Sequence, residues 1–522
     1  MGSLFDHRLQ HDMPYAYLAS DAFLHYAEAE GTKDLGHSNS LPVFISAGLE
    51  DVAGTAPPLL SHFTAILYYL TSVQTYDLIY FLVFFFVLMT ALIYYLTIRK
   101  YNKNIAILSV ALAIMLFAPK FYSGFTFGQW HMYLGFFFLF ALFWIFSRIE
   151  LKYSFVLIGL FVSSCFLAHI VDLFWAVGFI AFYFIVKSIF KELDLKQIKQ
   201  IIYSGLVFII TSLNLFLIFI FVFFILPEPE KKATSTIKVQ KLTEIIQNYQ
   251  PLFTNFGPII ITAIVIGVMI SLFIFIKKKQ TSLLPGFYMI LASFGYILGF
   301  GKALQIRFVW PIIFSVFFST TIYYALKSSI KNWKPHYSLF LSLALMILLT
   351  LIYTQPLNHP GIMDQYHWDM FNWINGKTAE KSNILFFYGD PYHSQTSRLY
   401  STKRAVHKVE LDYLKKALNN NTIDRVAPIS IGVANLLGKP AYRKSFFSFE
   451  GIDFKETEMK DVCNFDYYVF DLIPQINPIP QLIEFNKHIR ENLLKKEFIK
   501  EVYNNQVTSI LINENKGAEC LE

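Results

Sequence analysis

The chain has 522 residues, 55% of them hydrophobic and 18% aromatic, with only 16% charged and a formal net charge of +7. A water-soluble globule of that length needs a larger charged surface, so the composition excludes one and points to a polytopic membrane protein. The Lys and Arg excess lies mostly between apolar runs, which makes it a topological signal rather than a nucleic-acid footprint.

Residues 1–56 are polar and carry Asp6, Asp12, Asp21, Glu28, Glu30, Asp34, Glu50 and Asp51. Residues 1–20 contain no apolar run of signal-peptide length. A helix over Ser20–Glu30, capped by Ser20 or Asp21, sets Asp21, His25 and Glu28 along one side. The same residues also fit an ordinary solvated acidic loop. Pro57–Thr71, "PPLLSHFTAILYYLT", reads as a short helix with its prolines in the first turn. Treating it as a crossing leaves almost no chain before the next span, so it is expected to lie against the outer leaflet. Residues 1–76 then form an external roof over the bundle. A carboxylate there can take a proton from an attacking hydroxyl or amide, or hold a divalent cation against a leaving phosphate.

Apolar stretches follow at 77–98, 105–118, 131–147, 153–167, 170–187, 202–226, 258–276, 282–300, 308–326 and 338–354. The division at Ala168–His169 keeps His169 and Asp172 out of the middle of a span. Alternate connections are basic: Arg99, Lys100 and Lys103; Arg148 and Lys152; Lys187, Lys191, Lys196 and Lys199; Lys277, Lys278 and Lys279; Lys327, Lys331 and Lys334. The short loops of the other side carry only Lys120, Lys302 and Arg307. The positive-inside bias puts the first set in the cytoplasm. About ten transmembrane helices in the segment 77–354, with both termini extracytoplasmic, are therefore expected.

The segment 227–257 is too polar to cross and forms an external loop, with Leu242, Ile245 and Ile246 on one face of a short helix. Residues 355–522 have soluble composition. There "NILFFYG", "FDYYVFDLI" and "VTSILIN" read as strands, and "LDYLKKAL" and "PQLIEFNKHIRENLLKKEF" as helices. The expectation is an external C-terminal α/β-like domain. Cys165, Cys463 and Cys520 have no metal-ligand spacing, and Cys165 reads as packing.

Three further constellations stand out. Arg307 follows "GKALQI" and precedes the span "FVWPIIFSVFF", with Lys302 five residues earlier. An arginine at the outer end of an intramembrane helix either anchors the interface or offers its planar fork to a headgroup phosphate. His169 and Asp172 share a tight external turn and fit either mutual hydrogen bonding or a ligand site. His131 begins a span after "YSGFTFGQW", and Trp130, Tyr133 and Trp175 read as interface aromatics.

At these residues the chain resembles the GT-C superfamily, integral-membrane glycosyltransferases that take sugar from a lipid-phosphate or lipid-diphosphate donor. Within it, the chain resembles archaeal-type relatives of the oligosaccharyltransferase catalytic subunit AglB. That family's first external loop opens on a motif like Asp-Pro-Tyr-Tyr-His, whose Asp is catalytic and binds metal. "SDAFLHYAEAE" is similar, which implies Asp21 as that acid and His25 as the next polar position; "TAPPLLSHF" is similar to the family's "YPPL" segment. The resemblance implies a GT-C-like fold, a polyprenyl- or dolichyl-phosphate-linked sugar as donor, and Mg2+ or Mn2+ as cofactor. Asp21 and His131 are then the metal residues. Asp12, Glu50 and Asp51 are candidate second acids, and Arg307, Lys302, His25, His169 and Asp172 candidate donor-side contacts.

In "MFNWINGKTAEKSNILFFYGDPY" the residues Phe386, Phe387, Tyr388, Gly389 and Asp390 occupy the place of the family's acceptor-binding Trp-Trp-Asp-Tyr-Gly motif. They depart from it, since the Trp pair is Phe-Phe and the central acid is absent. The family's first span precedes its catalytic loop, and residues 1–20 contain none, which implies either a truncated product or an open donor groove. The family's second acidic pair also has no counterpart in "PKFYSGFTFGQW", where only Gln129 and the adjacent His131 are available. Two other classes remain open: a transporter or flippase for lipid-linked sugars, for which Asn214 is the clearest intramembrane polar residue, and a noncatalytic scaffold related to the transferases.

Overall fold

The computed structural model describes residues 11–18, 20–46, 52, 54, 56–117, 119–220, 242–330, 332–353, 361–387, 398–404, 406–408, 425–426, 442–445, 448–451, 460–474 and 479–520. The first half contains α1 (Ser20–Leu35), α2 (Leu59–Thr71), α3 (Thr75–Arg99), α4 (Lys103–Ala113), α5 (Pro119–Thr126), α6 (Trp130–Phe146), α7 (Ser154–Ala168) and α8 (Ile170–Ile189). Then come α9 (Leu195–Ile220), α10 (Leu242–Lys278), α11 (Leu284–Ser293), α12 (Trp310–Ser329), α13 (Pro335–Tyr353), α14 (Gln365–Lys377) and α15 (Pro480–Leu494).

Among the described residues each expected apolar stretch contains helix, but only six helices are long and apolar enough to cross a membrane: Thr75–Arg99, Ile170–Ile189, Leu195–Ile218, Leu252–Lys278, Ala303–Ser329 and Pro335–Ile352. The remaining four, Lys103–Leu116, Trp130–Phe146, Ser154–Ala168 and Thr281–Ile297, are 10–17 residues long. Burial explains how α6 tolerates this. Along α6, Leu134, Leu139, Phe140 and Leu142 are fully enclosed, because α3 and α7 pack on either side. A helix enclosed by protein need not match the hydrocarbon thickness, and irregular backbone at its ends is tolerated. His169 breaks α7 from α8 in extended backbone (φ −160°, ψ 117°), where the sequence placed the division.

Of the segment 227–257 the described part begins at Leu242, and the short helix expected on Leu242, Ile245 and Ile246 is present. From Leu242 the chain is already helical and continues through a bend at Gly257 into the span. The outer helix α2 packs on α1 and α3 yet leaves Ile66, Tyr69 and Leu70 exposed, an apolar flank suited to a leaflet surface. Trp130 and Tyr133, expected at the interface, are instead buried; the Trp130 indole N–H donates to the Phe125 carbonyl at 2.7 Å.

In the C-terminal domain a five-stranded sheet has the order Val406–Lys408, Ile384–Phe387, Tyr467–Asp471, Thr508–Asn513, Ile499–Asn504. The first three strands are parallel and the last two join antiparallel. All three expected strands and the helix at 480–494 are present, whereas "LDYLKKAL" lies outside the described residues. Phe386 and Phe387, at the place of the acceptor motif, are buried strand residues, and Phe387 stacks on Phe470 at 4.7 Å. Tyr388, Gly389 and Asp390 lie outside the described residues. Cys463 and Cys520 form a disulfide, a pairing with no spacing signature in the sequence.

Candidate functional site

The helix α1 is anchored by Ala22, Phe23, Ala27 and Ala29, all essentially buried, and carries Asp21, His25 and Glu28 at intervals of four and three. That flank meets the loop between α5 and α6. There Leu18 N–H donates to the Thr126 carbonyl at 2.9 Å, and Gly128 (φ +86°) brings its backbone against α1. A Cβ on Gly128 would fall 2.2 Å from Ala22 N and 2.6 Å from Asp21 C, so only glycine permits both the conformation and the approach. The next residue, Gln129, donates from Nε2 to Asp21 Oδ2 at 3.4 Å and accepts from Gln305 Nε2 at 3.5 Å. The start of α1 is thereby linked to the turn that carries Arg307.

Beyond Gln129, His131 enters the same site. His25 Nδ1 lies 3.1 Å from Glu28 Oε2, His131 Nε2 lies 3.5 Å from that same oxygen, and the two imidazole rings are 4.1 Å apart. One ligand atom from each of His25, Glu28 and His131 falls within 4.8 Å of the other two, the spacing of a divalent-cation site. Burial alone would raise the Glu28 carboxyl, but the His131 and His25 imidazoles beside it outweigh that and hold the group down at about 2. It is therefore an anionic ligand at neutral pH.

The two rings of this cluster are not equivalent. His131 Nδ1 is 3.0 Å from the Ala168 carbonyl, which can only accept, so Nδ1 carries the proton and Nε2 presents its lone pair. That buried Nε2 has no hydrogen-bond partner. An orphaned imidazole nitrogen beside an ionised carboxylate and a second imidazole is a donor set that fits a cation. Two imidazoles favour an ion that accepts nitrogen, such as Zn2+, over the oxygen-preferring Mg2+. The expectation of His131 as a ligand agrees with this grouping. Asp21 lies outside it, one helical turn from His25.

Behind His131, Asp172 is fully buried, and its Oδ2 is 3.1 Å from His169 Nδ1. The carboxylate presses on Gly135 of α6, where a Cβ would lie 1.8 Å from Oδ2. His169 and Asp172 thus brace the α7–α8 break next to the carbonyl that holds His131. Arg307 is half-buried with its guanidinium 4.9 Å over the Phe308 ring. Among the described residues, no acceptor takes a hydrogen bond from its guanidinium. Asp12 is exposed and outside the cluster. Glu50, Asp51 and the Lys302 side chain lie outside the described residues.

Sequence reasoning passed over a contact from the C-terminal domain. Glu30, two residues past Glu28 on α1, is buried and pairs with Lys403, with Lys33 at 2.7 Å, and with the Thr75 hydroxyl. Lys403 also reaches Asp34 at 3.0 Å. The Leu399–Thr402 turn packs on α1, and burial, with the Glu28 charge adding to it, pushes the Tyr400 phenol upward. Asn214, the polar residue on which a transport reading rested, donates to Asn39 Oδ1 of the external loop at 2.7 Å and so belongs to the outer end of α9.

No protein-family model and no curated protein matches this sequence. Solved structures do share the fold. The archaeal oligosaccharyltransferase AglB from Archaeoglobus fulgidus, in complex with an inhibitory peptide and a dolichol-phosphate, superposes with a TM-score of 0.50 at 13% identity, covering 87% of this chain and 66% of AglB. The same enzyme in complex with Zn and sulfate gives 0.53 at 12% identity, covering 87% and 64%. ArnT from Cupriavidus metallidurans bound to undecaprenyl phosphate reaches only 0.45 at 11% identity, covering 98% and 96%. The chain spans about two thirds of the length of the oligosaccharyltransferase structures. It shares the fold of that archaeal enzyme, mostly helical and polytopic, with a mixed C-terminal domain.

Proposed function

We propose that the chain is a membrane glycosyltransferase that moves a sugar from a polyprenyl- or dolichyl-phosphate-linked donor to an acceptor at the outer membrane face. The observation that carries this reading is the meeting of Asp21, His25, Glu28 and His131 at the junction of α1 and α6, in a fold shared with an oligosaccharyltransferase that binds dolichol-phosphate. In this reading Asp21, oriented by Gln129, accepts the proton of the attacking acceptor group. His25, Glu28 and His131 hold a divalent cation, which when bound supplies positive charge for a departing phosphate. Arg307, with its donors uncommitted among the described residues, holds the donor phosphate through its planar fork.

The same reading places ten crossings in the membrane, six as full-length helices and four as shorter ones, with both termini extracytoplasmic. The Cys463–Cys520 disulfide supports an oxidising, external C-terminal domain. The Asn214–Asn39 hydrogen bond removes the sequence argument for a transport pathway. Turnover of polyprenyl-phosphate-linked sugars by the purified chain in liposomes tests the proposal. Asp21→Asn is expected to lower turnover by about 10²-fold or more with folding intact. Wild-type turnover in that variant, or none in the native chain with any such donor, contradicts it.

A further inference from the structure

At the far end of α3 from the Glu30–Thr75 contact, roughly 36 Å away at 1.5 Å per residue, four connections close around a cavity of about 360 Å³. Its lining includes Lys100 after α3, Ser147, Arg148 and Glu150 after α6, Lys187 near the end of α8, and Thr281 after α10. These are four of the five connections whose basic residues set the expected topology, and they meet on one face. The cations outnumber the carboxylates. Lys187 and Lys279 share Glu192, at 3.0 and 3.1 Å, while Lys100 and Arg148 have only the exposed Glu150 nearby.

The site is built rather than loosely solvated. Arg148 lies 4.5 Å over the Trp144 ring, and its Nη1 donates to Ser147 Oγ at 2.8 Å and the Trp144 carbonyl at 3.2 Å. That fixes the guanidinium plane and leaves Nε and Nη2 without acceptors among the described residues. Lys100 Nζ donates to the Ser147 carbonyl beside it. Ser147 and Thr281 add hydroxyls of the kind that complete a phosphate's hydrogen bonds. Burial, together with the Arg148 charge, pushes the Lys100 amine down from its ordinary value, a strain that an arriving anion relieves.

We propose that this basic cavity binds a phosphate group, either the headgroup of an anionic phospholipid of the adjacent leaflet or a soluble phosphate. It is separate from the glycosyl-transfer reading and stands or falls without it. The fork of Arg148 and the amine of Lys100 grip the phosphate oxygens, and Lys187 supplies further positive charge. Its position at the level of the basic connections suits a lipid phosphate, which lies at the same depth.

The test uses the full-length purified chain. One arm measures phosphatidylglycerol retained by the protein from phosphatidylcholine nanodiscs containing it, by native mass spectrometry. The other titrates inorganic phosphate in detergent, following thermal stability. Arg148→Gln and Lys100→Gln are each expected to weaken binding about tenfold or more, with Lys334→Gln, on another connection, unchanged. Because Arg148 also braces the end of α6, the Lys100 variant keeps the test valid if Arg148→Gln unfolds. Retention of phosphatidylglycerol alone identifies a lipid headgroup, and response to inorganic phosphate alone identifies a soluble anion; both support the site. No binding of either probe by the native chain overturns it, as does binding that Lys100→Gln leaves intact or that Lys334→Gln weakens equally.

Discussion

Replacing Gly128 by alanine attacks the site without touching any of its chemical groups. The added Cβ would lie 2.2 Å from Ala22 N, against about 3.4 Å for ordinary contact, so α1 and the loop must separate by about 1.2 Å. Both sides of the clash are backbone, and no side-chain rotation relieves it. Alanine at φ +86° adds a backbone cost of about 1–2 kcal/mol. His25 and Glu28 ride on α1 while His131 rides on α6, so the separation opens the cluster itself. Metal geometry tolerates about ±0.2 Å, several times less than the enforced shift. Affinity for Zn2+ or Mn2+, measured by isothermal titration calorimetry on the purified protein, is therefore expected to fall at least about tenfold, within the range for disturbed supporting contacts. Melting temperature should drop modestly. Native metal affinity in a folded Gly128→Ala protein would refute the claim that the site spans this junction.

Other perturbations separate the parts of the molecule. Arg307→Lys should weaken binding of a polyprenyl phosphate nearly as much as Arg307→Ala, because an ammonium cannot reproduce the fork; equal affinity of all three proteins leaves only an interfacial anchor. Cys463→Ser should destabilise the C-terminal domain by about 4 kcal/mol in the chain-entropy treatment of a 57-residue separation, read by urea melting; no change in midpoint contradicts a formed disulfide. In the same domain, burial and the Arg398 charge pull His367 down, but hydrogen bonds with Asp364 (2.6 Å) and Asp471 (3.1 Å) outweigh them and leave its pKa above 6.5. Its stabilisation is thus complete below pH 6.5 and lost as pH rises through the raised value, so the melting temperature should decline there in the native chain and not in His367→Gln.

Much of the framework was legible because hydrophobic runs and charge bias are local signals. The spacing of Asp21, His25 and Glu28 was visible too, and a helix over it followed from the residues themselves. What the sequence hid was distance. Nothing local marks His131 as the partner of Glu28 across 103 positions, so Glu28 was noticed on the right face but not chosen. The orphaned Nε2 of His131 depends on the Ala168 carbonyl, a backbone group with no identity in sequence. Trp130 and Tyr133 were misplaced because an aromatic at a helix start looks the same whether it meets headgroups or another helix. The short α6 escapes a length argument for a related reason: enclosure by neighbours, not composition, permits it.

The central claim is that α1 and α6 assemble a cation site beside Asp21 and within reach of a lipid phosphate held by Arg307. A structure of the full chain determined with Mn2+ and a polyprenyl phosphate, using the anomalous signal of manganese, tests it most directly. The expected result is one manganese peak bonded to His25, Glu28 and His131, with the lipid phosphate on the Arg307 guanidinium. A lipid phosphate bound away from Arg307, or a cluster that stays empty while manganese binds elsewhere, would contradict it.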